Sequence, residues 1–311
     1  MEIAAVVGAG LIGRAWSMVF ARAGWQVRLY DPVPEQVAAA RGFMAQSLAE
    51  QARFGLCTDP EGALARIAGA ATLEAALDGV DWVQENSPEV ADVKTTLFAA
   101  LDRAAPAQAI LASSTSAIPA SRFTEGLPGR ARCLVAHPVN PPHLVPVVEL
   151  SGAAWTAPAT IERAHAVMTE VGQVPVVVRR EIEGFVVNRL QGALLSEAMR
   201  LVGEGYMSAE DLDKTIRDGL GLRWSFMGPF ATIDLNAPGG IADYAARYAG
   251  FYRRLAADPP APAVWDVEVA DKVAAGLGPP PTPQQRAERT AWRDGRLMAL
   301  VAHKRQQPEA N

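Results

Sequence analysis

Cysteine is nearly absent from this 311-residue chain. Cys57 and Cys133 are too few for a disulfide scaffold, and no C-x-x-C or Cys/His cluster offers a metal site. Lysine is almost as scarce, with four among 29 basic residues. No run of eighteen apolar residues occurs, because Arg22 interrupts the most apolar N-terminal stretch, so no membrane span is expected. The glycines ahead of Arg22 form a pattern that a signal peptide does not need. Positive charge is not in excess either: a net charge of −5 and a pI of about 5.5 argue against nucleic acid as a main partner. What the chain does have is an ordinary globular composition, 50% hydrophobic and 20% charged, over a length that favours two domains. These features predict a cytoplasmic protein.

Up to about residue 180, short β-branched runs alternate with alanine-rich helical stretches. Strands are expected at Ile3–Val7, Gln26–Tyr30, Asp81–Gln84, Ala109–Ala112, Arg132–Ala136, Pro146–Leu150 and Val174–Val178. The intervening stretches are long enough for crossover helices, which predicts an α/β fold with a Rossmann-type, doubly wound, mainly parallel sheet. After Gly184 only helical spacing remains, over 185–203, then from a capping box at Ser208 and Asp211, and over about 228–237, 239–256 and 283–304. The expected division is therefore a dinucleotide-binding domain over 1–182 and an all-α domain over 183–311.

The first strand runs directly into Gly8-Ala-Gly10-Leu11-Ile12-Gly13 and a helix. Gly8 suits a tight turn, Gly10 lets backbone N–H groups approach a pyrophosphate, and Gly13 allows close packing of helix on strand. The second strand ends at Asp31, where an acid accepts hydrogen bonds from ribose hydroxyls and repels a 2′-phosphate. The loop thus predicts NAD as cofactor, bound by Gly8, Gly10, Leu11, Ile12, Gly13 and Asp31. Arg28 is expected to face solvent, and Arg14 to lie on the first helix surface.

The strand at 132–136 delivers His137 to its carboxyl end, the edge where open α/β sheets place ligands. Twelve residues later comes Glu149 on another strand. A histidine with a nearby carboxylate suits an oriented general base. The same two residues also suit a turn histidine and a surface glutamate.

Gly8-Ala-Gly-Leu-Ile-Gly13, Ala112-Ser-Ser-Thr-Ser116, His137-Pro-Val-Asn140-Pro, Val147-Val-Glu149, Gly184-Phe-Val-Val-Asn188-Arg and Met227-Gly-Pro-Phe230 resemble the 3-hydroxyacyl-CoA dehydrogenase family in order and spacing. Val135–Pro142, Glu181–Gln191, Asp218–Arg223 and Trp292-Arg-Asp294 resemble its L-gulonate 3-dehydrogenase and lambda-crystallin branch. The resemblance implies that His137 takes a proton from the substrate's 3-hydroxyl and that Glu149 holds the other imidazole nitrogen. It implies that Ser116 and Asn188 hydrogen-bond the reacting oxygen or its neighbour, and that Asn140, Glu89 and Lys94 lie near the cofactor. One departure stands out: the family commonly reads Ser-Asn-Thr-Ser where this chain has Ser113-Ser-Thr-Ser116.

Substrate class divides the remaining readings. The region 41–70 has Arg41, Arg53 and Arg66 beside Glu50, Asp59 and Glu61, a poor clamp for CoA phosphates. Arg223, just before Trp224, suits a bidentate contact with a substrate carboxylate, or an ion pair with Asp218. The favoured reading is NAD-dependent oxidation of a small free L-3-hydroxy acid, L-gulonate-like, to the 3-keto acid. The alternatives are an L-3-hydroxyacyl-CoA dehydrogenase and a non-catalytic, crystallin-like NAD-binding protein. The aromatic supply of the helical region (Trp224, Phe226, Phe230, Phe251, Tyr252), together with the resemblance, predicts a homodimer.

Overall fold

The computed structural model describes residues 2–307. Eight strands form one sheet in the order β3-β2-β1-β4-β5-β6-β7-β8. They are β1 (Ile3–Val7), β2 (Gln26–Tyr30), β3 (Ile67–Gly69), β4 (Trp82–Glu85), β5 (Ile110–Ser113), β6 (Cys133–Pro138), β7 (Val147–Gly152) and β8 (Val174–Val178). All neighbours pair parallel except β6 and β7. The segment between those two strands is too short for a crossover helix, so the chain returns antiparallel. The three-residue edge strand β3 is an addition to the seven expected.

Side chains alternate across a strand, so β1 sends Ala4 and Val6 into one apolar cluster and Ala5 and Val7 into another. The first cluster is roofed by α1 (Leu11–Arg22) and α2 (Pro34–Arg53), with Trp16, Phe20 and Trp82 fully buried. The second holds Phe98, Leu101, Phe123 and Phe185. Covering on both faces is why the central strands read as continuous apolar runs. In β6 the same alternation places Leu134 and Ala136 in the first cluster and Cys133 and Val135 in the second.

The chain divides into two compact units. Residues up to Arg189, together with the chain from Ala291 onward, form the first unit; Leu190–Thr290 form the second. The last helix (Pro283–Gln306) therefore contributes its C-terminal half to the sheet unit, where Leu297, Met298 and Val301 pack with Leu56 and Leu144. An apolar patch on the last helix thus finds its partner far away in sequence.

The second unit is helical, with Ser208 capping its helix Ala209–Lys214 through the Asp211 N–H at 3.1 Å. Gly240–Ala256 and Val267–Leu277 follow. The last of these was not expected, because proline-rich segments flank it and valine recurs at its start. Among the described residues no helix is long and apolar enough to cross a membrane.

Candidate active site

The turn after β1 is built by two glycines that packing demands. Gly8 has φ +98°, and a Cβ there would lie 2.8 Å from the Asn86 carbonyl oxygen. A Cβ on Gly13 would fall 1.7 Å from the Gly8 carbonyl oxygen, which no relaxation of a side chain can relieve. Gly10 is different, since a Cβ there would meet nothing within 4 Å. It is the N-cap of α1 without any side-chain cap, so no capping side chain occupies the first amides of the helix. An uncapped helix start beside an open glycine fits a pyrophosphate. Asp31 stands at the end of β2, its Oδ2 accepting the Ala9 N–H at 2.8 Å and its Oδ1 the Val33 N–H at 2.9 Å. Its remaining lone pairs fit ribose hydroxyls.

His137 lies in β6 and Glu149 in β7, directly opposite each other in the antiparallel register. Facing residues on such strands share a face, and the Glu149 carboxylate accepts from His137 Nδ1 at 2.8 Å. Both side chains are buried. The second carboxylate oxygen accepts the N–H groups of Val186 at 2.8 Å and Val187 at 3.0 Å. Burial alone would push the Glu149 carboxyl up. The His137 hydrogen bond and the Val187 and Val186 amides outweigh it and hold the group below the usual carboxylate range. Glu149 is thus a buried structural anion rather than a surface glutamate, and Nε2 is the imidazole nitrogen left for a substrate.

Ser116 is exposed on the loop after β5, and Asn188 comes to it: Asn188 Nδ2 donates to the Ser116 backbone carbonyl at 2.7 Å. The loop is pinned from the other side by Glu89, whose carboxylate accepts the N–H groups of Ser116 and Ala117 at 3.1 Å and the Thr115 hydroxyl. Burial works against that carboxylate, but the Thr115 hydroxyl and the Ala117 and Ser116 amides keep its pKa lowered. Lys94 is not an open cationic arm. It is buried, with its ammonium 3.1 Å from both oxygens of buried Glu85. Glu85 in turn accepts from Ser113 Oγ and the Ser87 N–H, both at 2.5 Å. Glu89 and Lys94 therefore meet the loop through these contacts. Asn140 is exposed at the end of β6, immediately before Pro141.

The two arginines near the phosphate loop are engaged elsewhere. Arg28 donates to the carbonyls of Ala75, at 3.3 Å, and Asp78. Arg14 stacks its guanidinium 3.6 Å above the Phe43 ring rather than lying freely on the helix surface. In the second unit, Arg223 is exposed on a short helix (Gly221–Trp224). Asp218 does not pair with it: the Asp218 carboxylate is taken by Arg217 at 2.6 Å.

Residues 3–182 match the 3-hydroxyacyl-CoA dehydrogenase NAD binding domain, and residues 184–276 match the C-terminal domain of the same family. The chain belongs to the 3-hydroxyacyl-CoA dehydrogenase family. It is 45% identical to the lambda-crystallin homolog of Bos taurus over 98% of this chain and 96% of that one. It is 35% identical to an L-carnitine dehydrogenase of Pseudomonas putida over 96% and 92%. A crystal structure of 5-formyl-3-hydroxy-2-methylpyridine 4-carboxylic acid 5-dehydrogenase, described as an NAD+-dependent dismutase, superposes with a TM-score of 0.86 at 28% identity. That likeness covers 99% of this chain and all of the other. As a member of this family the chain is an NAD-dependent oxidoreductase acting on CH–OH groups.

Where the 3-hydroxyacyl-CoA dehydrogenase pattern commonly has asparagine, the hydroxyl of Ser114 sits inside a buried polar network. It accepts from the Trp16 indole at 3.0 Å and the Gln84 amide at 2.7 Å, and donates to Asn86 Oδ1 at 2.8 Å. Gln84 also accepts from the Trp82 indole at 2.9 Å. Sequence reasoning passed over Glu85, Gln84 and Trp16 here. A carboxylate and an amide inside the apolar run Trp82-Val-Gln-Glu85 were the available signal, since buried polar groups need partners.

Proposed function

We propose that the chain oxidises the 3-hydroxyl of a small free L-3-hydroxy acid, L-gulonate-like, to the 3-keto acid. The observation that carries this reading is the buried His137–Glu149 pair, 2.8 Å apart, at the carboxyl edge of a sheet whose first turn fits a pyrophosphate. Bound NAD supplies the acceptor for the hydride from C3. His137 Nε2 takes the hydroxyl proton, and Glu149 stabilises the imidazolium that results. Ser116 and Asn188 orient the reacting oxygen, Asn140 and Glu89 serve the cofactor side, and Lys94, buried against Glu85, acts there only through Glu85 and the loop it holds. Gly8, Gly10, Leu11, Ile12, Gly13 and Asp31 hold the dinucleotide.

Three points favour a free acid over an acyl-CoA. Arg41 donates to the Ile67 carbonyl and Arg66 to the Ala21 carbonyl and Asp59, which leaves a poor clamp for CoA phosphates. One relative is named for L-carnitine, itself a free 3-hydroxy acid. Arg223 has no carboxylate partner within its own unit and suits a bidentate contact with a substrate carboxylate. Loss of such a contact costs about 1.5–3 kcal/mol in kcat/KM, the range for a hydrogen bond to a charged group. Kinetics of Arg223→Met and Arg223→Lys test it: the free acid should lose that much with methionine and regain part with lysine. Equal activity of the methionine variant removes Arg223 from the substrate site.

The second unit leaves Tyr206, Leu222, Phe226 and Phe230 more than 60% exposed. So large an apolar supply on one chain supports a two-fold homodimer. Sedimentation at micromolar concentration distinguishes it from a monomer.

A further inference from the structure

The segment 181–189, after β8, is laced to the candidate site along its length. Glu181 accepts the Ser121 N–H at 2.9 Å, Gly184 donates to the Ala117 carbonyl at 3.4 Å, and Asn188 reaches Ser116. Between them the backbone turns through two consecutive left-handed residues, Gly184 at φ +74° and Phe185 at φ +48°. Glycine adopts that region freely, but for phenylalanine it is unfavourable because Cβ crowds the following carbonyl. Phe185 is the one non-glycine residue with positive φ among the described residues.

Two consequences follow from that conformation. It points the next two amides, Val186 and Val187, at the same Glu149 oxygen. It also sends the Phe185 ring inward, where it is fully buried and packs on the His137 imidazole with centroids 5.4 Å apart and planes tilted 36°. Glycine at this position would keep the turn without strain and lose the ring. A strained phenylalanine standing where glycine would be easier points to a side chain with a task of its own.

We propose that Phe185 is a positioning residue of the His137–Glu149 pair, its backbone fixing the carboxylate and its ring fixing the imidazole plane. The proposal rests on the reading of His137 as the proton acceptor. It assigns Phe185 no contact with substrate or cofactor. Its removal therefore lowers kcat while leaving KM and cofactor affinity in place.

The test uses Phe185→Gly, which permits the left-handed turn and removes the benzyl side chain, beside Phe185→Leu, which restores apolar bulk and a Cβ-bearing backbone. The Nδ1–H proton of His137, hydrogen-bonded to a carboxylate, gives a downfield NMR signal identified by its absence from His137→Gln. In Phe185→Gly that signal should broaden or vanish. The value of kcat should fall about 10- to 100-fold, with KM for the hydroxy acid and Kd for NADH within twofold of wild type. Phe185→Leu should recover part of both. A sharp, unshifted signal in Phe185→Gly, or kcat within twofold of wild type, overturns the proposal, as does a loss appearing mainly in KM. If the glycine variant does not fold, the leucine variant is read by the same criteria. The NMR signal also separates the two ideas: its loss in Phe185→Gly, with no turnover by wild type on any hydroxy acid, upholds the positioning role and refutes the proposed reaction.

Discussion

Glu149 and His137 are register partners across the one antiparallel ladder of the sheet, and Glu149 divides its two oxygens between the imidazole and two backbone amides. Glutamine has a single acceptor oxygen. If that oxygen keeps the Val186 and Val187 amides, the Glu149→Gln amide N–H faces His137 Nδ1 and moves the imidazole proton to Nε2, where it blocks proton uptake, and the variant loses the charge that favours an imidazolium. The variant should keep its fold and lose about 10²-fold or more in kcat, as disrupted general-base pairs do. Wild-type turnover by Glu149→Gln would separate this pair from the reaction.

The glycines of the phosphate loop should separate stability from binding. Gly13→Ala forces a Cβ onto the Gly8 carbonyl and should cost several kcal/mol of stability, read as a lowered urea midpoint. Gly10→Ala meets open space at an ordinary φ of −67° and should leave the midpoint within about 0.5 kcal/mol. Its added methyl should instead weaken NAD binding, because it stands where the pyrophosphate approaches. Calorimetric titration with NADH checks the second half.

Asp31→Ala should raise kcat/KM for NADP relative to NAD by removing repulsion of a 2′-phosphate. The gain should be modest, because neighbouring Arg28 is engaged with the Ala75 and Asp78 carbonyls. An unaltered ratio would take Asp31 out of the ribose site.

His143 supplies a pH dependence unconnected with the reaction. Burial and then the charges of Arg22, Arg14 and Arg293 lower its pKa from 6.5 to about 3. The folded chain keeps this imidazole neutral while the unfolded chain protonates it below 6.5, so the unfolded state binds more protons across that window. Stability from this group is therefore full above pH 6.5 and falls with acidification at about 1.4 kcal/mol per pH unit down to about pH 3. His143→Leu should flatten that slope between pH 6 and 4 in urea titrations. A slope identical to wild type would show that His143 is solvated.

The parts legible in the sequence were those set by local spacing. The glycine loop, the strand carrying His137 and the switch to helical periodicity at Gly184 all follow from neighbours a few residues apart. The facing of His137 and Glu149 was legible only as proximity, since their register depends on how 139–146 turns. The burial of Lys94 was not legible at all, because its partner Glu85 lies on a different element. The left-handed backbone of Phe185 also leaves no mark in composition, and the return of the last helix to the sheet unit depends on contacts with Leu56 and Leu144, far away in sequence.

The most direct measurement of the central claim is kcat/KM of the wild-type protein with NAD on L-gulonate, 3-hydroxybutyrate, L-carnitine and 3-hydroxybutyryl-CoA, followed by NADH formation. The account predicts turnover of at least one free acid, with a kcat/KM that exceeds that of the thioester and collapses in His137→Ala. A preference for 3-hydroxybutyryl-CoA, or free-acid turnover that survives His137→Ala, would contradict it.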